Sequence, residues 1–212
     1  MKQNRRVFIP AIIVTVIGLL LVLYSFYSTP SGGHHGPPPT GGDHPGPPSG
    51  EKEGKGGLGG TFKQLGTFAI ICGAISYSWF YLKRKMKSSS NLIKKMGKLL
   101  YKVHTYVGWA ALILVVAHGT YYIIKDFNNP STLTGIAAFI ILLTLAMYGW
   151  FIKRIRNKFM RTIHFLLSHV WLVLLVIHAG GHFILPAAIT LMIWGIIWLF
   201  DLSARKTAAK HV

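Results

Sequence analysis

What most constrains this chain is a series of apolar runs, each closed by a cluster of Lys and Arg. About 20 apolar residues in a helix cross the roughly 30 Å hydrocarbon layer of a bilayer. Spans are expected from Val7 to about Tyr27, about Phe62 to Leu82, Leu99 to Ile124, Leu133 to Ile152, Thr162 to about His182, and Ala187 to Phe200. Hydrocarbon offers no partner to the backbone, so such runs must be helical. The expected fold is therefore all-α: a polytopic six-transmembrane helix bundle.

Charge then orients the bundle. The net charge is +18, from 23 Lys and Arg against five acidic residues. In a soluble protein this excess would suggest nucleic acid, but here the cations sit just outside apolar runs, so the lipid bilayer is the expected partner and nucleic acid is not. Lys2, Arg5 and Arg6, the basic loops at 83–102 and 153–161, and the tail with Arg205, Lys206 and Lys210 all fall on one side if both termini are cytoplasmic.

Four segments follow. Residues 1–27 form an N-terminal transmembrane helix. A cleaved signal peptide is the rival reading, but its apolar core would be about 7–15 residues and end in a small-x-small site, which Ser25-Phe26-Tyr27 does not supply. Residues 28–60 hold twelve glycines, seven prolines and His34, His35 and His44, and are expected to be an extracytoplasmic disordered loop, a spacer rather than a specific metal site. Residues 61–202 carry the remaining spans, and 203–212 are a basic cytoplasmic tail. Cys72 is the one cysteine, which excludes an intramolecular disulfide, a multi-thiolate zinc site and a Cys-x-x-Cys-His haem attachment.

Within the spans one spacing repeats. His104 and His118 share the third span, and His164 and His178 share the fifth. Fourteen residues are nearly four helical turns, so both histidines of a pair return to almost the same face, about 21 Å apart along the axis. The third and fifth spans run in the same direction, so His104 can face His164 and His118 can face His178. Each level then offers two imidazoles to a planar macrocycle, the arrangement of two stacked b-type haems. An ionisable residue inside a span is costly and points to function, and four at matched spacing point more strongly. His169 is about 140° round from His164 and should face away from the seam. His182, one turn past His178, is an alternative ligand or a propionate partner. Trp171, midway between His164 and His178, is placed to pack between the haems, and Gly108, Ala111 and Ser168 share these faces. Lys102, Arg156 and Arg161 are candidate propionate partners at the cytoplasmic level.

The stretches HTYVGWAALILVVAH and KRIRNKFMRTIHFLLSHVWLVLLVIH resemble the third and fifth helices of ferric reductase-like transmembrane domains. That superfamily includes ferric reductases, NADPH oxidases and the haem subunit of the bacterial periplasmic methionine sulfoxide reductase system. The resemblance covers roughly Phe62 to Phe200. It implies two haem b groups, with His104 and His164 ligating the cytoplasmic-side iron and His118 and His178 the outer one, and an aromatic at Trp171 between them. The chain departs from the oxidases after Phe200, where a short basic tail stands in place of FAD and NADPH domains.

The expected function is transmembrane electron transfer by a bis-haem cytochrome in the cell membrane, the plasma membrane of a prokaryote. A separate cytoplasmic flavin reductase or the quinol pool would donate, and ferric iron, quinone, oxygen or a redox protein would accept outside. The chain would then be the haem-bearing membrane component of an oxidoreductase such as a ferric reductase. Two alternatives stay open: a quinone-reactive anchor subunit of a dehydrogenase, and a haem-free, histidine-lined metal transporter.

Overall fold

A computed structural model describes residues 6–28, 58–85, 91–155 and 157–209. Among them are six α-helices and no strand: α1 (Phe8–Ser28), α2 (Leu58–Lys85), α3 (Asn91–Lys125), α4 (Pro130–Phe151), α5 (Lys158–Ala179) and α6 (Ile184–Ala209). Five helical segments are long and apolar enough to cross a membrane, the last being a stretch of 46 residues, Lys158–Ser203, that contains both α5 and α6. These lengths and compositions are those of a multi-pass membrane protein. The histidine-bearing loop expected at 28–60 falls on residues 29–57, outside those described, and α2 already begins at Leu58.

Local sequence sets the helix ends. Asn129 caps α4, its Oδ1 accepting from the Ser131 N–H at 2.9 Å, with Pro130 at the first helical position, where a missing N–H does no harm. Asn157 caps α5 in the same way through the Phe159 N–H at 2.9 Å. Gly180 ends α5 with φ of +52°, a left-handed value that other residues adopt at a cost. A 3₁₀ turn over Gly180–Phe183 then leads into α6, whose first turn carries the buried Pro186. Helix α3 starts eight residues before the expected span, because Lys94, Lys95 and Lys98 are good helix formers and Ile93 is anchored against Leu82 and Ile197.

The helices pair as hairpins. α2 packs along α3 and α4 packs along α5, with α3 also against α4. α1 lies against α4, where the Tyr148 hydroxyl donates to the Val7 carbonyl, and also touches α5, where Phe8 meets Phe159 edge-on at 5.4 Å. α6 lies against α2, with Trp194 stacked on Tyr81 at 5.3 Å. Ile197 of α6 meets Leu82 and Ile93, so α6 returns toward the end of the bundle where α2 finishes and α3 starts. The outside of the bundle is itself apolar: Ile12, Leu20, Ile113, Val173, Leu191 and Met192 all point outward. Such a surface is stable in lipid and would be an aggregation-prone patch in water. Ile141, Ile163, Leu167 and Leu174 fill the α4–α5 interior.

Candidate metal centre

Parallel helices α3 and α5 bring the four histidines into two facing pairs. The rings of His104 and His164 have centroids 6.2 Å apart and planes at 79°. Those of His118 and His178 are 6.4 Å apart at 81°. The backbones of α3 and α5 are not themselves closely packed, so the histidine side chains bridge the seam between the two hairpins.

Each ring is held from behind by its own hairpin partner. His104 Nδ1 lies 2.9 Å from the Ser76 carbonyl and 2.8 Å from Ser76 Oγ. His118 Nδ1 lies 2.8 Å from the Phe62 carbonyl, and His164 Nδ1 is 3.0 Å from the Leu145 carbonyl. His178 Nδ1 meets Thr134 Oγ1 at 3.2 Å, and that hydroxyl donates in turn to the Ser131 carbonyl at 2.9 Å. A carbonyl oxygen can only accept, so these bonds put the proton on Nδ1 and leave Nε2 with its lone pair. Among the described residues, none of the four Nε2 atoms takes a hydrogen bond. Tethering of one nitrogen with the other left bare is how metal-binding imidazoles are oriented.

The supporting helices repeat the fourteen-residue step. Phe62 and Ser76 hold the two α3 histidines, and Ser131 and Leu145 stand in the matching places behind those of α5. Four residues after three of these positions comes a glycine whose missing side chain makes room for a ring. A Cβ on Gly66 would lie 2.7 Å from His118 Cε1, one on Gly135 2.9 Å from His178 Cε1, and one on Gly149 3.1 Å from His164 Cε1. Reasoning from the histidines alone misses these glycines. Gly135 and Gly149 nevertheless sit at the same fourteen-residue spacing, a signal available in the sequence.

Trp171 is buried, 6 % exposed, and its indole reaches α2, where a Cβ on Gly73 would lie 2.5 Å from the ring. It thus crosses from α5 to α2 between the two histidine levels. His169 is turned elsewhere, among Phe80, Phe165 and Tyr77. Its Nδ1 donates to the Phe165 carbonyl at 2.8 Å and its Nε2 meets the Tyr77 hydroxyl at 3.2 Å, so both nitrogens are used. His182 is exposed on the turn after α5 and joins neither pair. Arg161 is exposed one turn before His164. Lys102 is exposed as well, about 200° round the helix from His104. A Cβ on Gly108 would lie 3.7 Å from Ser76 Oγ of α2, an ordinary packing distance. Arg156, like His34, His35 and His44, lies outside the described residues.

Chemically, each level brings two imidazoles together, each with Nδ1 engaged and its Nε2 lone pair unused. A metal bound between them, at about 2.0 Å per bond, would set the ring centres roughly 6.3 Å apart, which matches the geometry at both levels. Among the described residues no group of three or more His, Cys, Asp or Glu is arranged to hold a metal by itself. No protein-family model, curated protein or solved structure matches the chain.

Proposed function

We propose that the protein is a membrane cytochrome that holds two b-type haems and passes single electrons across the bilayer. The observation that carries this reading is the pair of facing imidazole couples, each with Nδ1 tied to its own hairpin and Nε2 left without a hydrogen bond. His104 with His164, and His118 with His178, are the kind of paired imidazole donors that would hold a haem, which would supply the redox-active iron. The resemblance of the α3 and α5 stretches to ferric reductase-like domains supports the same assignment. Bound there, haem would supply a reversible ferric–ferrous couple with no open coordination position, suited to relay rather than to oxygen binding.

The residues of the chain have separable tasks. His104 and His164 would hold one iron, and His118 and His178 the other. The Ser76, Phe62 and Leu145 carbonyls and Thr134 Oγ1 fix the rings and make them better donors. Trp171 fills the apolar interior between levels and keeps water from it. We further propose six crossings with both termini cytoplasmic. Gly180 separates α5 from a returning α6, and Arg6, Lys83, Lys94, Lys95, Lys153, Arg154 and Lys158 gather at one end of the bundle. A separate flavin reductase or quinol would donate at that end, and an acceptor such as ferric iron, quinone, oxygen or a redox protein would be served at the other.

The test is haem analysis of the purified full-length protein expressed with ample haem supply. A pyridine haemochrome assay should give two b-type haems per chain. Because the imidazole planes are near perpendicular at 79° and 81°, they leave the iron dxz and dyz orbitals nearly degenerate. The ferric EPR spectrum should therefore show a single large-g feature, in place of the three-line rhombic pattern of parallel planes. Protein that takes up no haem would overturn the reading and favour a histidine-lined transporter.

A further inference from the structure

Each b-type haem carries two propionate carboxylates, and carboxylates at the edge of a low-dielectric interior need cationic partners. We propose that Lys153 and Lys125 are those partners, Lys153 at the 104/164 level and Lys125 at the 118/178 level; the inference rests on the haem reading above.

The placement of the two ammonium groups is matched. Tyr101 lies three residues before His104, and Tyr121 three residues after His118. On α3 each tyrosine therefore stands one turn beyond its histidine, toward its own end of the bundle and on nearly the same side. Lys153 Nζ sits 5.6 Å from the Tyr101 ring centre, and Lys125 Nζ sits 5.8 Å from the Tyr121 ring centre. A cation over an aromatic face is held against the protein instead of ranging through solvent.

The two lysines reach these equivalent places by different routes. Lys125 is the last residue of α3, whereas Lys153 comes from the turn after α4 and crosses to α3. Neighbouring sequence does not force that coincidence, but two carboxylate-bearing edges facing opposite ends of the bundle would require it. Lys102, on the far side of α3, is not so placed.

The experiment is a redox titration of the full-length protein in nanodiscs of neutral lipid, comparing Lys153→Gln, Lys125→Gln and the charge-keeping Lys153→Arg and Lys125→Arg. His104→Ala and His118→Ala, each retaining one haem, assign the midpoints. Reduction adds negative charge, so loss of a nearby cation should lower the midpoint of one haem: that of the 104/164 level in Lys153→Gln and that of the 118/178 level in Lys125→Gln. Transfer of the same haem to excess apomyoglobin should become about tenfold faster, as expected for loss of one charge-assisted hydrogen bond. The arginine variants should behave as the parent. Midpoints that do not move, that move together, or that respond equally to arginine would overturn the proposal, as would a dependence on anionic lipid that disappears with the lysines while the midpoints stay fixed. Those results leave the haem reading standing, whereas a parent protein without haem overturns both.

Discussion

Replacing His164 by alanine is expected to halve the haem content of the purified chain and to abolish reduction of an outer acceptor from the opposite side. On the proposed haem reading His164 would be one of two imidazole donors at its level, and in the variant its partner His104 would be left as a lone imidazole across a seam bridged by side chains. An electron would then have to cross about 21 Å more of protein without a stopping point. His169→Ala is the matched control, one and a half turns along the same helix. Its two nitrogens are already bonded to the Phe165 carbonyl and the Tyr77 hydroxyl. That variant should keep both haems and lose about 1–3 kcal/mol of stability through the lost hydrogen bonds and ring packing. Pyridine haemochrome content and the amplitude of the reduced-minus-oxidised spectrum separate the two cases. Full haem content in His164→Ala, or loss of haem in His169→Ala, would sink the assignment.

A second large effect is expected from a single methyl group. In Gly66→Ala the new Cβ would meet His118 Cε1 at 2.7 Å, and in Gly135→Ala it would meet His178 Cε1 at 2.9 Å. Real carbon contacts of this length are essentially never seen, and these rings cannot retreat freely because their Nδ1 atoms are tied to the same helices. Both variants should lose the haem of the 118/178 level while retaining the other. Gly149→Ala, at 3.1 Å from His164 Cε1, should be milder and should act on the 104/164 level. Gly119→Ala, with nothing within 4 Å, should leave both haems in place and raise the melting temperature, since alanine favours a helix over glycine by about 1 kcal/mol. Haem content and thermal melts of the four variants would show this order, and a Gly119 effect equal to that of Gly66 would count against the ring-cradle account.

Part of this architecture is legible in the residues alone. The fourteen-residue step is a property of one helix, so the facing of His104 with His164 and of His118 with His178 follows once α3 and α5 run parallel. His169 is set aside for the same reason. The supporting carbonyls of Phe62, Ser76 and Leu145 carry no side-chain signature, and which helix stands behind each histidine depends on hairpin pairing that periodicity does not specify. Lys153 is hidden by the path of the turn after α4, which decides whether its ammonium reaches α3 or solvent. The long basic start of α3 resembles a loop in sequence because its charge excludes it from lipid, although charge does not exclude it from a helix.

The two hairpins also bear on how the protein is put together. Helices α2 and α3 satisfy the Nδ1 groups of His104 and His118 within themselves, and α4 and α5 do the same for His164 and His178. The polar Nδ1 groups of either hairpin can therefore be satisfied during membrane insertion without waiting for the other hairpin, even though α6 packs onto α2 only later. On the haem reading, the cofactor would be gripped where these two hairpins meet, each having oriented its own imidazoles beforehand.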